Sequence, residues 1–268
     1  MPAEELRETA HGEEATLEST LAKSDLTVRD VERLVRIGVY AAGLRNSVEP
    51  TSQRILQSLR TAACGAAALF ALAASSPGQQ VSIRFPDGRD RLLTSSGWTD
   101  SANSTLWENG FFAAMASRQY EALEVLARIP MALLRRSTTQ TQEWQYLRFE
   151  AFAAFARRDR DAVEREVVAL KAADPDLAPP SFTNYILDIA SADLALLYEV
   201  MTQNQAGFDK ALLTALKGHK HYYSRGDGKR DILGQLALSP LALCVVAKDA
   251  GMSINVESDY IPRSVIDA

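Results

Sequence analysis

Apolar residues recur every three or four positions along most of the chain, which is the spacing of one buried face of an α-helix. The pattern is strongest after residue 140, where one stripe consists of Trp144, Leu147, Ala151 and Phe155. A basic turn and a second stripe follow, as in an antiparallel helix hairpin. No period near the ~34 residues of tetratricopeptide repeats is present, which argues against a regular array. The sequence therefore predicts an all-α fold, an irregular stack of antiparallel helix hairpins that forms a solenoid-like helical bundle.

One segment breaks the helical pattern and predicts a small β-hairpin. Val81, Ile83 and Phe85 alternate with polar residues, and a Pro-Asp-Gly turn follows at 86–88. Because two strands are only marginally stable in water, the hairpin near 81–94 is expected to lie on the helices.

The negative charge of the chain is concentrated at its N-terminal end. Residues 1–32 carry nine acidic and three basic side chains, a balance of −6, whereas the whole chain carries −5. The remainder is thus close to neutral, which argues against a nucleic acid as partner and against mimicry of one. Residues 1–24 are polar without apolar periodicity, so we expect an acidic, mobile leader before a single helical domain over 25–268. The leader could act as a solubilising tail or steer a basic partner.

Neither secretion nor membrane insertion is predicted. The first 18 residues are acidic and contain no apolar stretch, so a cytoplasmic protein is expected. The most apolar run, 62–74, is shorter than the ~20 residues that cross a bilayer and predicts a core helix. Cys64 and Cys244 lie in apolar helical runs and are expected to be buried thiols.

Few side chains offer catalytic or cofactor chemistry. His219 and His221 are two residues apart, which places their rings on different faces of a helix and argues against a shared metal ion. The glycine-containing loop 224–229 lacks the order of a phosphate-binding loop. No nucleophile lies beside a base in a recognisable motif. We therefore expect no cofactor, no metal and no enzymatic activity, with a dispersed active site around a histidine as the rival interpretation.

Residue types typical of interaction hot spots occur at two places. One is the polar loop after His221, and the other comprises two tryptophans that flank residues 99–104, either to anchor that loop or to form a surface platform. The candidate partner-binding residues are Tyr222, Tyr223, Arg225, Asp227, Trp98 and Trp107.

Three motifs follow one another in the C-terminal part of the chain. They are Tyr222-Tyr223-Ser224, LSPLAL at 238–243 and ESDYIP at 257–262. In this order they resemble the C-terminal signature of the immunity protein 49 family, with a looser similarity over 107–155 and no matching motif before Thr51. Members of that family are helical antitoxins of bacterial polymorphic toxin systems.

The resemblance implies an immunity protein that binds a cognate toxin domain tightly and blocks its active site or another essential surface. The alternative is a helical-repeat scaffold that binds a peptide or protein outside a toxin system. Such a scaffold would carry a concave groove across several hairpins.

Overall fold

The computed structural model describes residues 3–268, apart from the side chains of Asp227 and Arg230. Over these residues the fold is all-α with one small antiparallel hairpin, as the periodicity predicts. The α-helices are α1 (Ala3–Leu21), α2 (Val28–Val48), α3 (Gln53–Ala74), α4 (Ser104–Ala116), α5 (Tyr120–Ala127), α6 (Met131–Leu134), α7 (Glu143–Arg157), α8 (Ala162–Ala172), α9 (Pro180–Tyr185), α10 (Ser191–Met201), α11 (Gln205–Tyr223), α12 (Leu238–Asp249) and α13 (Arg263–Ile266). A π-helical segment, Ile186–Ala190, joins α9 to α10, and two 3₁₀ turns, Gly226–Arg230 and Ile232–Gln235, join α11 to α12.

Helix α3 lies at the centre of the fold, where α2, α4, α5 and the β-hairpin pack around it. Small residues allow the close approach. A β-carbon added at Gly110 of α4 would lie 2.0 Å from the β-carbon of Ala66, and one added at Gly38 of α2 would lie 2.8 Å from that of Ala62. The glycines are therefore required by helix packing, because any larger side chain would push the helices apart.

Two segments are long and apolar enough to cross a membrane, namely Gln53–Ala74 and Ile232–Asp249. In the most apolar 18 residues of each segment, 83% of the residues of the first and 56% of those of the second are buried within the fold. Core helices of globular proteins pass the same test, so the two segments are weak evidence for a membrane protein. Helix α3 contains the apolar run at 62–74 and is a core helix, as predicted.

The predicted hairpin is present. Strands β1 (Gln80–Arg84) and β2 (Asp90–Thr94) pair in antiparallel register, with Ile83 opposite Arg91 and Val81 opposite Leu93. Ile83 and Leu93 are buried against the helical core. The hairpin is thus stabilised by the helices on which it lies.

The N-terminal segment differs from the expected mobile leader, because its described part forms α1 and packs on α2 and α3. Glu14 is only 4% exposed, and its two carboxylate oxygens accept hydrogen bonds from Nε and Nη2 of Arg45, each at 2.7 Å. Arg54 donates to the same carboxylate at 2.8 Å. Burial disfavours the charged form, but the two guanidinium groups outweigh it and lower the pKa of Glu14. The sequence pattern missed this helix because an ion pair occupies part of its buried face.

The C-terminal segment closes the fold. Helix α12 packs against α4 and α10, and the left-handed backbone of Gly251 (φ +88°) follows its end. Residues 253–257 form neither a helix nor a strand. Asn46 of α2 then donates from Nδ2 to the carbonyl oxygens of Gln235 and Asp259, both at 2.7 Å, which fixes the tail across the N-terminal helices.

Candidate partner-binding cleft

A cleft of about 330 Å³ opens between α4, the α9–π–α10 helix, the end of α11 and the start of α12. The segments that form it lie far apart in the sequence and meet only because α12 returns to pack on α4. Aliphatic side chains, including Leu236 and Leu238, line part of the cleft. Its polar and aromatic lining includes Glu108, Phe182, Tyr185, Tyr222, Tyr223 and Ser239. This cavity is near the lower end of the ~300–1,000 Å³ typical of small-ligand sites.

The floor of the cleft rests on a buried ion-pair network. Arg148 of α7 is 1% exposed and donates from Nη1 to Glu108 at 2.5 Å and from Nη2 to Asp193 at 2.7 Å. The Ser239 hydroxyl donates to the same Asp193 oxygen at 2.7 Å. Each buried charge therefore has an opposite charge and hydrogen bonds, which a charge removed from water requires.

The pKa values in this network indicate a permanently charged guanidinium. Burial alone disfavours the cation, but the charges of Glu108 and Asp193 raise the pKa of Arg148 above its ordinary value. Burial raises the pKa of Asp193, and its contacts with Arg148 and Ser239 offset part of that effect. Loss of either carboxylate would leave Arg148 with half of its neutralising partners.

Aromatic rings form one wall of the cleft. The ring of Tyr222 meets Tyr185 at 5.7 Å and Tyr223 at 5.1 Å between centroids, both edge to face. Tyr223 continues to His219 at 4.7 Å, and Tyr185 to Trp144 at 6.1 Å. These contacts hold the exposed parts of the tyrosines in fixed positions, which lowers the entropy lost when a partner binds them.

Carboxylates lie close to the tyrosines of this wall. Burial raises the pKa of Tyr222, and the carboxylates of Asp231 and Asp188 raise it further. Burial likewise raises the pKa of Tyr223, with Asp231 and Glu108 among the added causes. Both phenols are consequently neutral at physiological pH and keep their hydroxyl protons.

The two C-terminal histidines have structural surroundings. His219 is buried and its Nε2 lies 2.9 Å from the carbonyl oxygen of Gly234, which fixes Nε2–H as the donor. Burial lowers the pKa of His219, so the ring is neutral. His221 lies at the surface, where Nδ1 is 2.7 Å from Asp188. Within residues 3–268 as described, no three His, Cys, Asp or Glu side chains are placed to hold a metal ion.

Three larger depressions lie elsewhere on the surface. One, of about 410 Å³, separates α3 from the hairpin and α5, a second, of about 670 Å³, borders Tyr260, and a third, of about 530 Å³, lies between α5 and the end of α7. The first is lined by Cys64, whose pKa is raised by burial to about 12, so its thiol is no nucleophile at neutral pH. The cleft is the stronger candidate because it alone of the four has the Arg148 network at its floor.

The structure separates the residues that the sequence singled out. Tyr222 and Tyr223 line the cleft, and Arg225 is exposed just beyond them at the start of the loop. The side chain of Asp227 lies outside the described residues. Trp98 is half-buried, with the guanidinium of Arg136 4.7 Å from its ring centroid.

Trp107 lies in the core, which excludes it from a surface platform and leaves the alternative that it anchors the loop. It is 0% exposed, its indole N–H donates to the carbonyl oxygen of Leu126 at 3.0 Å, and its ring stacks on Phe111 at 4.6 Å. The residue belongs to the core between α4 and α5. It was misassigned because α4 is apolar on nearly all sides, so its sequence does not reveal which face is buried.

Sequence reasoning missed the residues at the floor of the cleft. Glu108, Arg148 and Asp193 belong to three helices and are at least 40 positions apart. One signal was available, because Arg148 lies between the apolar residues Leu147 and Phe149. A charged residue that is buried among apolar side chains requires a partner of opposite charge.

The fold and the cleft together define an all-α protein with a concave surface depression walled by aromatic side chains. Depressions of this kind commonly bind ligands or side chains of a partner. By sequence the chain belongs to the immunity protein 49 family, since that family's model matches residues 48–265. The match confirms the resemblance found in the C-terminal motifs and extends it towards the N-terminus. No curated protein and no solved structure matches the chain.

Proposed function

We propose that this protein is an immunity protein that binds a cognate bacterial toxin domain and neutralises it without chemical catalysis. The family match over 48–265 carries the proposal. A toxin is neutralised by a protein that covers its active site or an essential surface, and this requires complementarity of shape and charge rather than a reacting group.

The state of the potential reacting groups supports a binding role. Both thiols are protonated, since burial raises the pKa of Cys64 and of Cys244 to about 12. His219 is neutral and already hydrogen-bonded to a backbone carbonyl. The carboxylates at the floor of the cleft are held by Arg148. The same proposal has the protein act in the cytoplasm, where unpaired cysteines stay reduced.

The cleft is the proposed contact surface for the toxin. Tyrosine and arginine are the residue types that dominate binding energy at protein interfaces; Tyr222 and Tyr223 line the cleft, and the exposed Arg225 follows in the adjoining loop. Their rings are held by neighbours before binding occurs, so little side-chain entropy remains to be lost.

The test is rescue of growth in a bacterial host. The host expresses the toxin-like product of the gene adjacent to that of this protein, with and without the protein itself. Rescue together with co-purification of a stoichiometric complex is the expected result. A toxic neighbour that this protein neither binds nor counteracts would refute the proposal and favour a helical scaffold for another partner.

A further inference from the structure

The floor of the cleft offers an unused hydrogen-bond acceptor. Both hydrogen bonds to the Glu108 carboxylate reach Oε1, from Arg148 Nη1 at 2.5 Å and from the Tyr185 hydroxyl at 3.3 Å. No described residue donates to Oε2, and that atom is not sealed from solvent. The Glu108 side chain is 21% exposed. A carboxylate oxygen is therefore free to accept from a molecule that enters the cleft.

Glu108 is the only charged side chain among the described residues that line the cleft. Arg148 pairs with both Glu108 and Asp193, so the network carries one negative charge when both carboxylates are ionised. Asp188 and Asp231 add carboxylates beside Tyr222, although Asp188 also contacts His221 and Asp231 lies at the exposed rim. His219 faces the cleft as a neutral ring. The field in the cleft consequently favours a cation.

The aromatic wall suits a cation as well. A guanidinium or ammonium group within ~6 Å of a tyrosine ring centroid is attracted by the ring quadrupole. The same chain uses this contact elsewhere, where the Arg135 guanidinium lies 4.1 Å from the ring centroid of Tyr146. In the cleft, Tyr185, Tyr222 and Tyr223 line the space above Glu108, and no such partner is present among the described residues.

We infer that the cleft receives one basic side chain, a lysine or an arginine, from the partner protein, with the free oxygen of Glu108 as its acceptor and the three tyrosines as its wall. The volume of about 330 Å³ is large enough to admit such a side chain. This inference rests on the proposed function, because the partner is the toxin domain. A buried basic anchor of this kind gives both affinity and specificity to an interface.

A pair of substitutions at the rim tests the sign of the charge. Ser181 lines the cleft and is exposed, so it can be replaced without breaking a buried contact. Ser181→Arg introduces a cation that competes with the incoming side chain, whereas Ser181→Glu introduces a similar bulk with the opposite charge. We expect Ser181→Arg to weaken binding of the neighbouring gene's toxin domain at least tenfold and Ser181→Glu to leave it equal or tighter. Equal weakening by both, or no effect of either, would overturn the inference.

A second measurement addresses the acceptor itself. Glu108→Gln keeps the shape and removes the charge, and the loss of a charge-assisted hydrogen bond should raise Kd about 10- to 100-fold. Glu143→Gln is the matched control, because Glu143 is also paired with an arginine, Arg135 at 2.7 Å, but lies outside the cleft. The thermal midpoint of each variant is measured alongside, since Glu108 also neutralises Arg148. If Glu108→Gln does not fold, the Ser181 pair alone decides.

Calorimetry of the wild-type protein with the same toxin domain distinguishes failure of the proposed function from failure of this inference. Absence of wild-type binding refutes the proposed function and removes the inference with it. Wild-type binding that Ser181→Arg and Glu108→Gln leave within twofold refutes the inference alone. Where both variants weaken binding, alanine substitution of each exposed lysine and arginine of the toxin should identify one residue whose loss is not additive with Glu108→Gln.

Discussion

Glu166 on α8 should make the stability of this protein depend on pH. The residue is 1% exposed, and among the described residues its Oε1 has no hydrogen-bond partner. Helix α8 packs between α7 and α10, so the carboxyl group lies in the interior. Burial raises the pKa of Glu166 from 4.5 to about 7, with no opposing charge to lower it.

The sign follows from proton binding. The folded protein holds the proton of Glu166 more tightly than the unfolded chain does. The contribution of Glu166 to the free energy of unfolding is therefore fully present below pH 4.5 and is lost as the pH rises through about 7. A shift of one pKa unit corresponds to about 1.4 kcal/mol. Between pH 5 and pH 8 the loss amounts to about 2–3 kcal/mol, a sizeable fraction of the ~5–15 kcal/mol by which proteins are stable.

Urea unfolding of the wild type and of Glu166→Gln at pH 5 and pH 8 measures the effect. Because other groups titrate equally in both proteins, the difference between them isolates Glu166. We expect the glutamine variant to gain about 2–3 kcal/mol relative to the wild type on going from pH 5 to pH 8. Glu164→Gln, on the exposed face of the same helix, should show no such change. A difference for Glu166→Gln that does not vary with pH would refute the reasoning.

Three further predictions concern the rest of the fold. Gly110→Ala should lower stability by about 1–3 kcal/mol because of the contact with Ala66, whereas Gly12→Ala, with no atom within 4 Å, should raise it slightly; equal thermal midpoints would contradict this. Arg45→Met should lower the free energy of unfolding, measured with urea, by about 3 kcal/mol, since the buried Glu14 keeps only one cationic partner. An unchanged free energy of unfolding would mean that the packing of α1 does not depend on the Glu14–Arg45 pair. Both cysteines should resist an aromatic disulfide reagent at pH 8 until the protein is unfolded, and a fast reaction of the native protein would contradict the burial of the thiols.

Local signals in the sequence were sufficient for most helices and for the hairpin. Thr27 illustrates this, because its side chain accepts from the backbone N–H of Asp30 while Asp30 accepts from the backbone of Thr27, the capping box that begins α2. The hairpin follows equally from alternation and a turn within 15 residues. Helix α1 did not follow, because its burial depends on Glu14 finding arginines 31 and 40 positions away.

The cleft was predictable only in part. Tyr222 and Tyr223 could be found because tyrosine is a residue type common at interaction hot spots and the two are adjacent in the sequence. Glu108 and Arg148 could not, since a charged residue in a helix is ordinarily exposed and only tertiary packing brings these two together. Trp107 shows the reverse error, in which a residue type common at interfaces is used to fill the core.

The π-helical segment Ile186–Ala190 has a consequence for how the cleft is encoded. In a regular α-helix, residues eight positions apart point about 80° away from each other. One surplus residue in a turn delays the winding by about 100°, so Tyr185 and Asp193 point within about 20° of each other, and both face Arg148. If the same residues wound as a regular α-helix, with none deleted, Tyr185 and Asp193 would point about 80° apart and one of the two would turn away from Arg148. The cleft therefore depends on the angular phase of a helix as much as on the identity of any side chain.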